Sequence, residues 1–359
     1  MRTIGAVRTT SSSRSPISSP SPISSPTEQS PIAPGLSLGL QNHNYSTMHL
    51  QFLHFFGSKV ADTMHSALCM PKSLFPFLIQ EAFGAPYLMD QILAFSALLL
   101  SLECPDKSDI YRQEATTLQL RALAAFNLVG GGVKFSDFPT TLFSQLVANY
   151  QLVETFTLQA SLAEFVDRFA SYLKLHQGVS LLANMHWTTI LERIQPQYNI
   201  AFVDVFRPHN NEVEEQGDYY AALLNLLEEP SLCPKSRAAY SRCIELLSWI
   251  HGFRHASPIE RNLVVRGWSV LIPPKYVELL RQCLPEALVI LAHYIALWHE
   301  LSSAWIKQQT MQFVVGSIVD YLGPDWETWL AYPIQVMMSC EDQMMLRDLG
   351  GSIDLDLLL

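Results

Sequence analysis

Residues 281–333 form the stretch that most constrains how this chain can fold. They read RQCLPEALVILAHYIALWHELSSAWIKQQTMQFVVGSIVDYLGPDWETWLAYP, which predicts two long apolar helices followed by a tryptophan-rich turn. An apolar helix of this kind has to be covered by other elements. The stretch therefore predicts a large buried core, and no residue pattern within it is typical of catalysis.

The composition agrees with a large core and excludes some function classes. Hydrophobic residues make up 49% of the chain and charged residues 16%, which is apolar for a soluble domain. The formal net charge of −10 argues against extensive contact with the phosphate backbone of a nucleic acid, because such contact needs clustered lysine and arginine side chains. The apolar run around 288–291 is too short and too polar for a bilayer. We therefore expect no direct DNA contact and no membrane span.

Three segments differ in composition. Residues 1–45 are rich in serine and proline and repeat SPISSP at 15–20 and 21–26, which predicts a disordered tail. Residues 46–345 predict a helical domain. Residues 346–359 alternate acids with leucines, a pattern typical of short activation segments that fold on a coactivator, although an ordinary frayed terminus is an equal alternative.

Helical periodicity runs through the whole central segment. No convincing period-2 strand pattern occurs, so we predict an all-α fold, with a surface loop at 196–217. Ser46 is the expected N-cap of the first helix. Pro285 is expected to begin the helix predicted at 286–299, because proline is favoured at the first position of a helix. The predicted helices cover 48–64, 72–83, 87–102, 109–128, 138–158, 162–182, 218–227, 235–253, 258–271, 276–283, 286–299, and from Ser302 or Ser303 to 322.

Motifs for catalysis or metal binding are not found in the sequence. The glycines at 130–132 lack the spacing of a phosphate loop and fit a helix C-terminus better. The acids at 212–218 fit a solvated loop. His49 and His54, like His293 and His299, are spaced too far apart to share a helix face, so core or boundary roles are favoured. The six cysteines show no metal-ligand spacing and indicate buried, reduced thiols.

Aromatic side chains supply the candidate ligand pocket. Trp298, Trp305 and Phe313 lie on the two apolar helices, and Phe126 lies on an earlier amphipathic helix. Their bulk, on helix positions expected to face inward, could line a pocket for a large apolar ligand. Aromatic rings that pack only against each other are the alternative.

Three segments carry a resemblance to a known family. PEALVILAHY at 285–294, LGPDWETWLAYP at 322–333 and HLQFLHFF at 49–56 resemble segments of the fungal zinc-binuclear-cluster (Zn2Cys6) transcription factors of the sterol-uptake-regulator type. The likeness extends over about 48–335. It implies a multi-helix orthogonal bundle of the regulatory-domain type found in that family. It departs at residues 308–310, where QQT stands in place of the Gly-Trp-Gly tract of the family.

The resemblance implies a nuclear regulator of transcription, represented by its helical regulatory domain without the DNA-binding module. The family's six-cysteine cluster has no counterpart before residue 46, and the first cysteine is Cys69. We therefore expect no zinc or other cofactor and no enzymatic activity. The expected partners are proteins of the transcription machinery or a related regulator, with a homodimer and an apolar small-molecule ligand left open. A fungal metabolic or secondary-metabolite gene cluster is the expected target.

Two other interpretations remain at this point. One is a cytoplasmic lipid- or sterol-binding module that modulates a full-length relative by dimerising with it. The other is a truncated gene model of a DNA-binding regulator. An all-α enzyme ranks below both, since no acid–base or metal constellation supports it.

Overall fold

The computed structural model describes residues 45–61, 74–129, 138–158, 160–194, 218–228, 232–301 and 308–338. All of them belong to one structural unit, Asn44–Leu359. Within these ranges the chain forms thirteen α-helices and no strand. The prediction of an all-α, multi-helix fold is therefore confirmed.

The helices are numbered here in chain order. The first five are α1 (Thr47–Phe55), α2 (Leu74–Gly84), α3 (Pro86–Glu103), α4 (Ser108–Val129) and α5 (Phe138–Thr157). The next five are α6 (Leu162–Ile194), α7 (Asp218–Asn225), α8 (Pro234–His251), α9 (Pro258–Leu271) and α10 (Pro274–Arg281). The last three are α11 (Pro285–Leu301), α12 (Gln308–Leu322) and α13 (Glu327–Met337). A π-helical turn (Phe56–Val60) and 3₁₀ turns (Pro105–Lys107, Leu226–Glu228, Pro324–Trp326) complete them.

The helices enclose two hydrophobic cores. The N-terminal core is built from α1 to α4 and the first part of α5, with α3 packed most extensively against α4. The C-terminal core is built from the last part of α5 and from α6 to α13, with α11 at its centre. Helix α5 joins the two, because Phe143 belongs to the first core and Phe156 to the second.

Local sequence signals explain where several helices begin. Ser46 caps α1, as predicted, and forms a capping box with His49. Ser257 forms the corresponding box with Glu260 at the start of α9. Such boxes satisfy two backbone N–H groups that a helix leaves unbonded. Pro285 is the first residue of α11, also as predicted.

Other boundaries differ from the predictions. Helix α6 continues to Ile194, twelve residues beyond the predicted end, while α9 has its predicted limits. The tryptophan-rich turn is followed by α13, a helix that was not predicted because Pro333 lies inside it. The predicted loop at 196–217 and the caps Ser302 and Ser303 lie outside the described residues.

A sharp corner joins α10 to α11, whose axes differ by 109°. Cys283 turns this corner with a φ of 51°, the left-handed conformation that disfavours residues other than glycine. Within the described ranges no single helix is long and apolar enough to cross a membrane, and only this bent pair passes on length and composition. Helix α11 is itself buried in the C-terminal core.

Candidate functional site

Aromatic rings around α11 form a continuous chain through the C-terminal core. Trp268 stacks on Tyr294 with ring centroids 4.0 Å apart, and Tyr294 contacts Trp298 at 5.6 Å. Trp298 then meets Phe156 edge to face at 5.5 Å. The edge-to-face pair of Trp298 and Phe156 has the geometry that aromatic rings prefer. The rings thus contact each other closely along the face of α11.

The polar tips of these rings bond to backbone carbonyls. The hydroxyl of Tyr276 donates to Ala287 O at 3.0 Å, and that of Tyr294 donates to Val265 O at 3.2 Å. The indole of Trp268 donates to Cys243 O at 3.5 Å. Burial raises the pKa of Tyr276 and of Tyr294 well above the usual value, so both stay neutral. The hydroxyl of Tyr240, also buried, has no hydrogen-bond partner.

A buried polar cluster lies between α6 and α9. His176 Nδ1 lies 2.8 Å from Ser269 Oγ and 3.2 Å from the hydroxyl of Tyr172. Because the Ser269 hydroxyl already donates to Arg266 O, its oxygen accepts the hydrogen bond from the Nδ1–H group of His176. Burial, aided by the nearby charge of Arg266, lowers the pKa of His176 to about 3. The imidazole is therefore neutral and holds α6 against α9.

A second neutral histidine connects the segment 285–294 with the segment 322–333. His293 Nε2 donates to Trp329 O at 2.7 Å, and the imidazole stacks on Tyr332 with centroids 5.8 Å apart. In a regular helix that carbonyl would accept the N–H of residue 333, but Pro333 has none. His293 supplies the missing donor. Burial lowers its pKa to about 4, and its core role is as predicted.

Charged side chains extend this contact to the surface. The hydroxyl of Tyr332 donates to Glu300 Oε2 at 2.6 Å, and Arg254 donates to Glu300 Oε1 at 3.0 Å. Helix α13 is thus joined to α11 by one partly buried and one exposed hydrogen bond. No sequence motif signals this arrangement, since the bonded residues are 32 to 46 positions apart.

The four predicted pocket residues do not come together in the described structure. Phe126 stacks on Phe143 at 4.5 Å in the N-terminal core. Trp298, 3% exposed, lies in the C-terminal core. Phe313 is 54% exposed, so the expectation that it faces inward is wrong; Val314 and Val315 face the core instead. Trp305 lies outside the described residues.

An open cleft that the sequence did not signal lies on α7 and α8. Its volume is about 510 Å³, and Leu224, Leu227, Glu228, Arg237 and Ser241 line it. The guanidinium of Arg237 donates to Leu227 O at 2.9 Å across the cleft. The walls of the cleft therefore combine apolar surface with the guanidinium of Arg237, which is already hydrogen-bonded to a backbone carbonyl.

The cysteines depart from the expectation that they are buried. Of the four in the described ranges, Cys243 is buried, Cys104 and Cys283 are partly exposed, and Cys233 is exposed. Cys233 is the N-cap residue of α8, and hydrogen bonds from Ser236 lower the pKa of its thiol. Among the residues described, no group of three histidine, cysteine or acidic side chains is placed to hold a metal ion. The glycines at 130–132 and the acids at 212–217 lie outside them.

Comparison with known proteins gives one informative relative. No family model and no solved structure matches the chain. The chain is similar to a Zn(2)-C6 fungal-type transcription factor of Gibberella zeae, with 23% identity over 324 residues. The match covers 82% of this chain and 63% of the relative, so the chain spans less than two thirds of the relative's length. A match of that extent includes most of the helical region.

Proposed function

We propose that this chain is the helical regulatory domain of a fungal transcriptional regulator that acts in the nucleus. The observation that carries the proposal is the similarity, over 82% of the chain, to a protein named as a Zn(2)-C6 fungal-type transcription factor. The all-α architecture agrees with the fold that the motifs at 285–294 and 322–333 imply. The domain works through protein partners of the transcription machinery or through a related regulator.

The chemistry of the buried groups supports a regulatory role over a catalytic one. His176 and His293 are held neutral by burial, and each joins two helices through a hydrogen bond. A general base would need a pKa close to the working pH and access to a substrate. These two histidines have neither.

The finer part of the proposal concerns the signal and the target genes. We infer an apolar small-molecule signal and a metabolic or secondary-metabolite gene cluster, because the motifs resemble those of the sterol-uptake-regulator type. Occupancy of an apolar site would shift the population between two helix arrangements and so expose a partner surface. The rings lining α11 are packed against each other, so such a site would open only in the second arrangement.

A reporter assay with the full chain tests the proposal. The chain is fused to a foreign DNA-binding domain and expressed with a reporter gene in a fungal host. We expect transcription to change relative to the DNA-binding domain alone, and we expect a destabilised Trp268→Ala fusion to lose that change. An unchanged reporter in the fungal host, which supplies its own transcription machinery, would contradict a regulatory function.

A second measurement separates the proposal from the lipid- or sterol-binding interpretation. Native mass spectrometry of the purified full chain reports bound apolar molecules and dimers. An inactive fusion whose chain carries a lipid and pairs with a full-length relative would support the modulating module instead. An active fusion would favour the regulatory domain, whatever the chain carries.

A further inference from the structure

Helix α4 presents a face to solvent that is almost free of charge. Ile110 is 58% exposed, Leu120 63% and Leu128 76%. Between residues 108 and 128, Asp109 in the first turn is the only exposed residue that carries a charge. The water-facing side of a helix is normally charged, and the cores of protein interfaces are depleted of charged residues. The outer face of α4 therefore has the composition of an interface.

The exposed positions of α4 recur in alternating steps of three and four residues. Such spacing places side chains in one stripe along a helix, as in the seam of a coiled coil. The stripe lies opposite the buried face of α4, which carries Tyr111, Leu118 and Ala122. We define the α4 seam as Ile110, Gln113, Thr117, Leu120, Ala124 and Asn127.

The seam is complementary to a second copy of itself that runs in the opposite direction. A two-fold axis between residues 118 and 119 sets Thr117 of each chain opposite Leu120 of the other. The layers along the pair are Thr117 with Leu120, Gln113 with Ala124, and Ile110 with Asn127. Every layer thus joins a larger side chain to a smaller one, which is the arrangement that lets facing helices interdigitate. Leu128 lies on the same side of the seam as Ile110 and extends the outer layers.

The parallel direction does not give this match. Each residue would then face its own copy, so that Leu120 meets Leu120 and Ala124 meets Ala124. The two Asp109 carboxylates would also lie together, whereas the antiparallel direction separates them by ~28 Å along the helix axis. Opposed helix dipoles favour the antiparallel direction as well.

The polar seam residues are compatible with close contact. The hydroxyl of Thr117 donates to Gln113 O at 2.9 Å, so excluding water does not leave its proton without an acceptor. Gln113 and Asn127 lie nearer the ends of the seam, and their amides are neutral. Neither adds a charge that the contact has to bury.

The size of the contact predicts a weak dimer. Helix α4 has 22 residues, which gives a length of ~33 Å at ~1.5 Å per residue. A strip ~10 Å wide along it covers roughly 330 Å², well below the ~800 Å² per partner of a standard interface. A helix pair of this size therefore predicts an association that is reversible at micromolar concentrations.

We propose that two copies of this chain associate through their α4 seams, with the two helices antiparallel. The partner that covers the exposed face is a second copy of the chain. Association removes Ile110, Leu120 and Leu128 of both chains from water, which is its main driving force. The pairing does not depend on the proposed function.

Sedimentation velocity of the purified full chain over a range of concentrations tests the association. We expect a monomer–dimer equilibrium with a micromolar dissociation constant. Leu120→Glu places a charge at the centre of the seam and should weaken dimerisation by about tenfold or more. Circular dichroism checks that this exposed substitution leaves the fold intact. The matched control is Leu224→Glu, at a position 44% exposed on α7, which should leave the dissociation constant unchanged.

A charge-pair variant tests the direction of the helices. Thr117→Lys with Leu120→Glu sets each lysine opposite a glutamate of the partner when the helices are antiparallel. Dimerisation should then be tighter than in Leu120→Glu alone, by about two- to threefold for each of the two ion pairs. A parallel pair sets like charges opposite each other, so a double variant that dimerises more weakly than Leu120→Glu overturns the proposal.

Photo-crosslinking identifies the residues in contact. Ile110 is replaced by p-benzoylphenylalanine, and unlabelled chains are mixed with isotope-labelled chains before irradiation and mass spectrometry. We expect mixed-isotope products that join position 110 of one chain to residues 124–128 of the other. A cross-link between two copies of position 110, a cross-link within one chain, or none from a mixture that contains dimer overturns the proposal. So does a chain that stays monomeric at every concentration, or a dimer that Leu120→Glu and Leu224→Glu affect equally.

Discussion

The N-terminal core contains a buried carboxylate, whereas the centre of the C-terminal core is made of packed aromatic rings. Asp90 is 0% exposed and accepts hydrogen bonds from the guanidinium of Arg121 at 2.7 Å and from the hydroxyl of Tyr45 at 3.1 Å. At the centre of the other core, Trp268 and Tyr294 are stacked and bond only to neutral groups. One core thus contains a buried charge and the other contains none at its centre.

This difference predicts different dependences on solution conditions. Removing a carboxylate from water is costly, and only well-placed partners offset that cost. The N-terminal core therefore depends on keeping Asp90 paired, and it also buries Gln91 with neither amide atom bonded. The C-terminal core depends on shape and on neutral histidines. Four experiments test the contrast, beginning with the largest expected effect.

Trp268→Ala should produce the largest loss of stability. The indole is 0% exposed, so the change leaves a cavity among rings that cannot all move to fill it. Substitutions of this kind cost about 3–5 kcal/mol. The measurement is the free energy of unfolding in urea, followed by circular dichroism. Trp326→Ala, at a partly buried position of the same core, is the matched control, and an equal loss there would show that this core does not depend on close ring packing.

Acidification should weaken the C-terminal core through His176 and His293. Their pKa values in the folded protein are about 3 and about 4, below the unfolded value of ~6.5. Between the folded and the unfolded pKa values, the unfolded chain therefore binds more protons than the folded chain. The stability that the two neutral histidines contribute is complete above pH ~6.5 and is lost as the pH falls towards 4. Between pH 7 and pH 5 the expected loss is about 2 kcal/mol for each histidine.

Urea unfolding at a series of pH values measures this loss. His176→Asn with His293→Gln keeps polar side chains in place and should flatten the dependence, with each single variant in between. A double variant that retains the slope of the original chain would mean that other groups cause it.

Asp90→Asn should cost about 2 kcal/mol, because it removes the charge that the buried bonds of Arg121 require. Arg121 is 29% exposed, so water relieves part of the loss. The double variant Asp90→Asn with Arg121→Gln should lose less than the sum of the two single variants. Strictly additive losses, measured in urea, would show that the pair does not act as a unit and would weaken the contrast between the cores.

Local signals were enough to predict much of the architecture. Ser46 and Pro285 marked helix starts correctly, and the apolar surroundings of 288–291 marked α11 as central, because capping and burial act within a few residues. Pro333 was misleading for the opposite reason. Proline normally ends or breaks a helix, whereas here His293, forty positions earlier, donates to the carbonyl that the Pro333 nitrogen cannot reach.

The candidate site was less predictable than the fold. Apolar content placed Trp298 in a core correctly, but it could not assign Phe313 to the solvent side of an amphipathic helix whose inner face is made by Val314 and Val315. The bond between His176 and Ser269 joins residues 93 positions apart. Neither periodicity nor spacing carries information at that distance.

The smallest expected effect isolates the bond between His293 and the Trp329 carbonyl. His293→Leu leaves that partly buried carbonyl without its donor, at a cost of about 1–2 kcal/mol. Pro333→Ala restores the N–H that a regular helix would offer to the same carbonyl. The cost of His293→Leu should therefore be smaller in the Pro333→Ala background, a coupling that urea unfolding of all four chains measures. Equal costs in both backgrounds would show that His293 stabilises α13 through its stacking on Tyr332, and that the missing proline N–H plays no part.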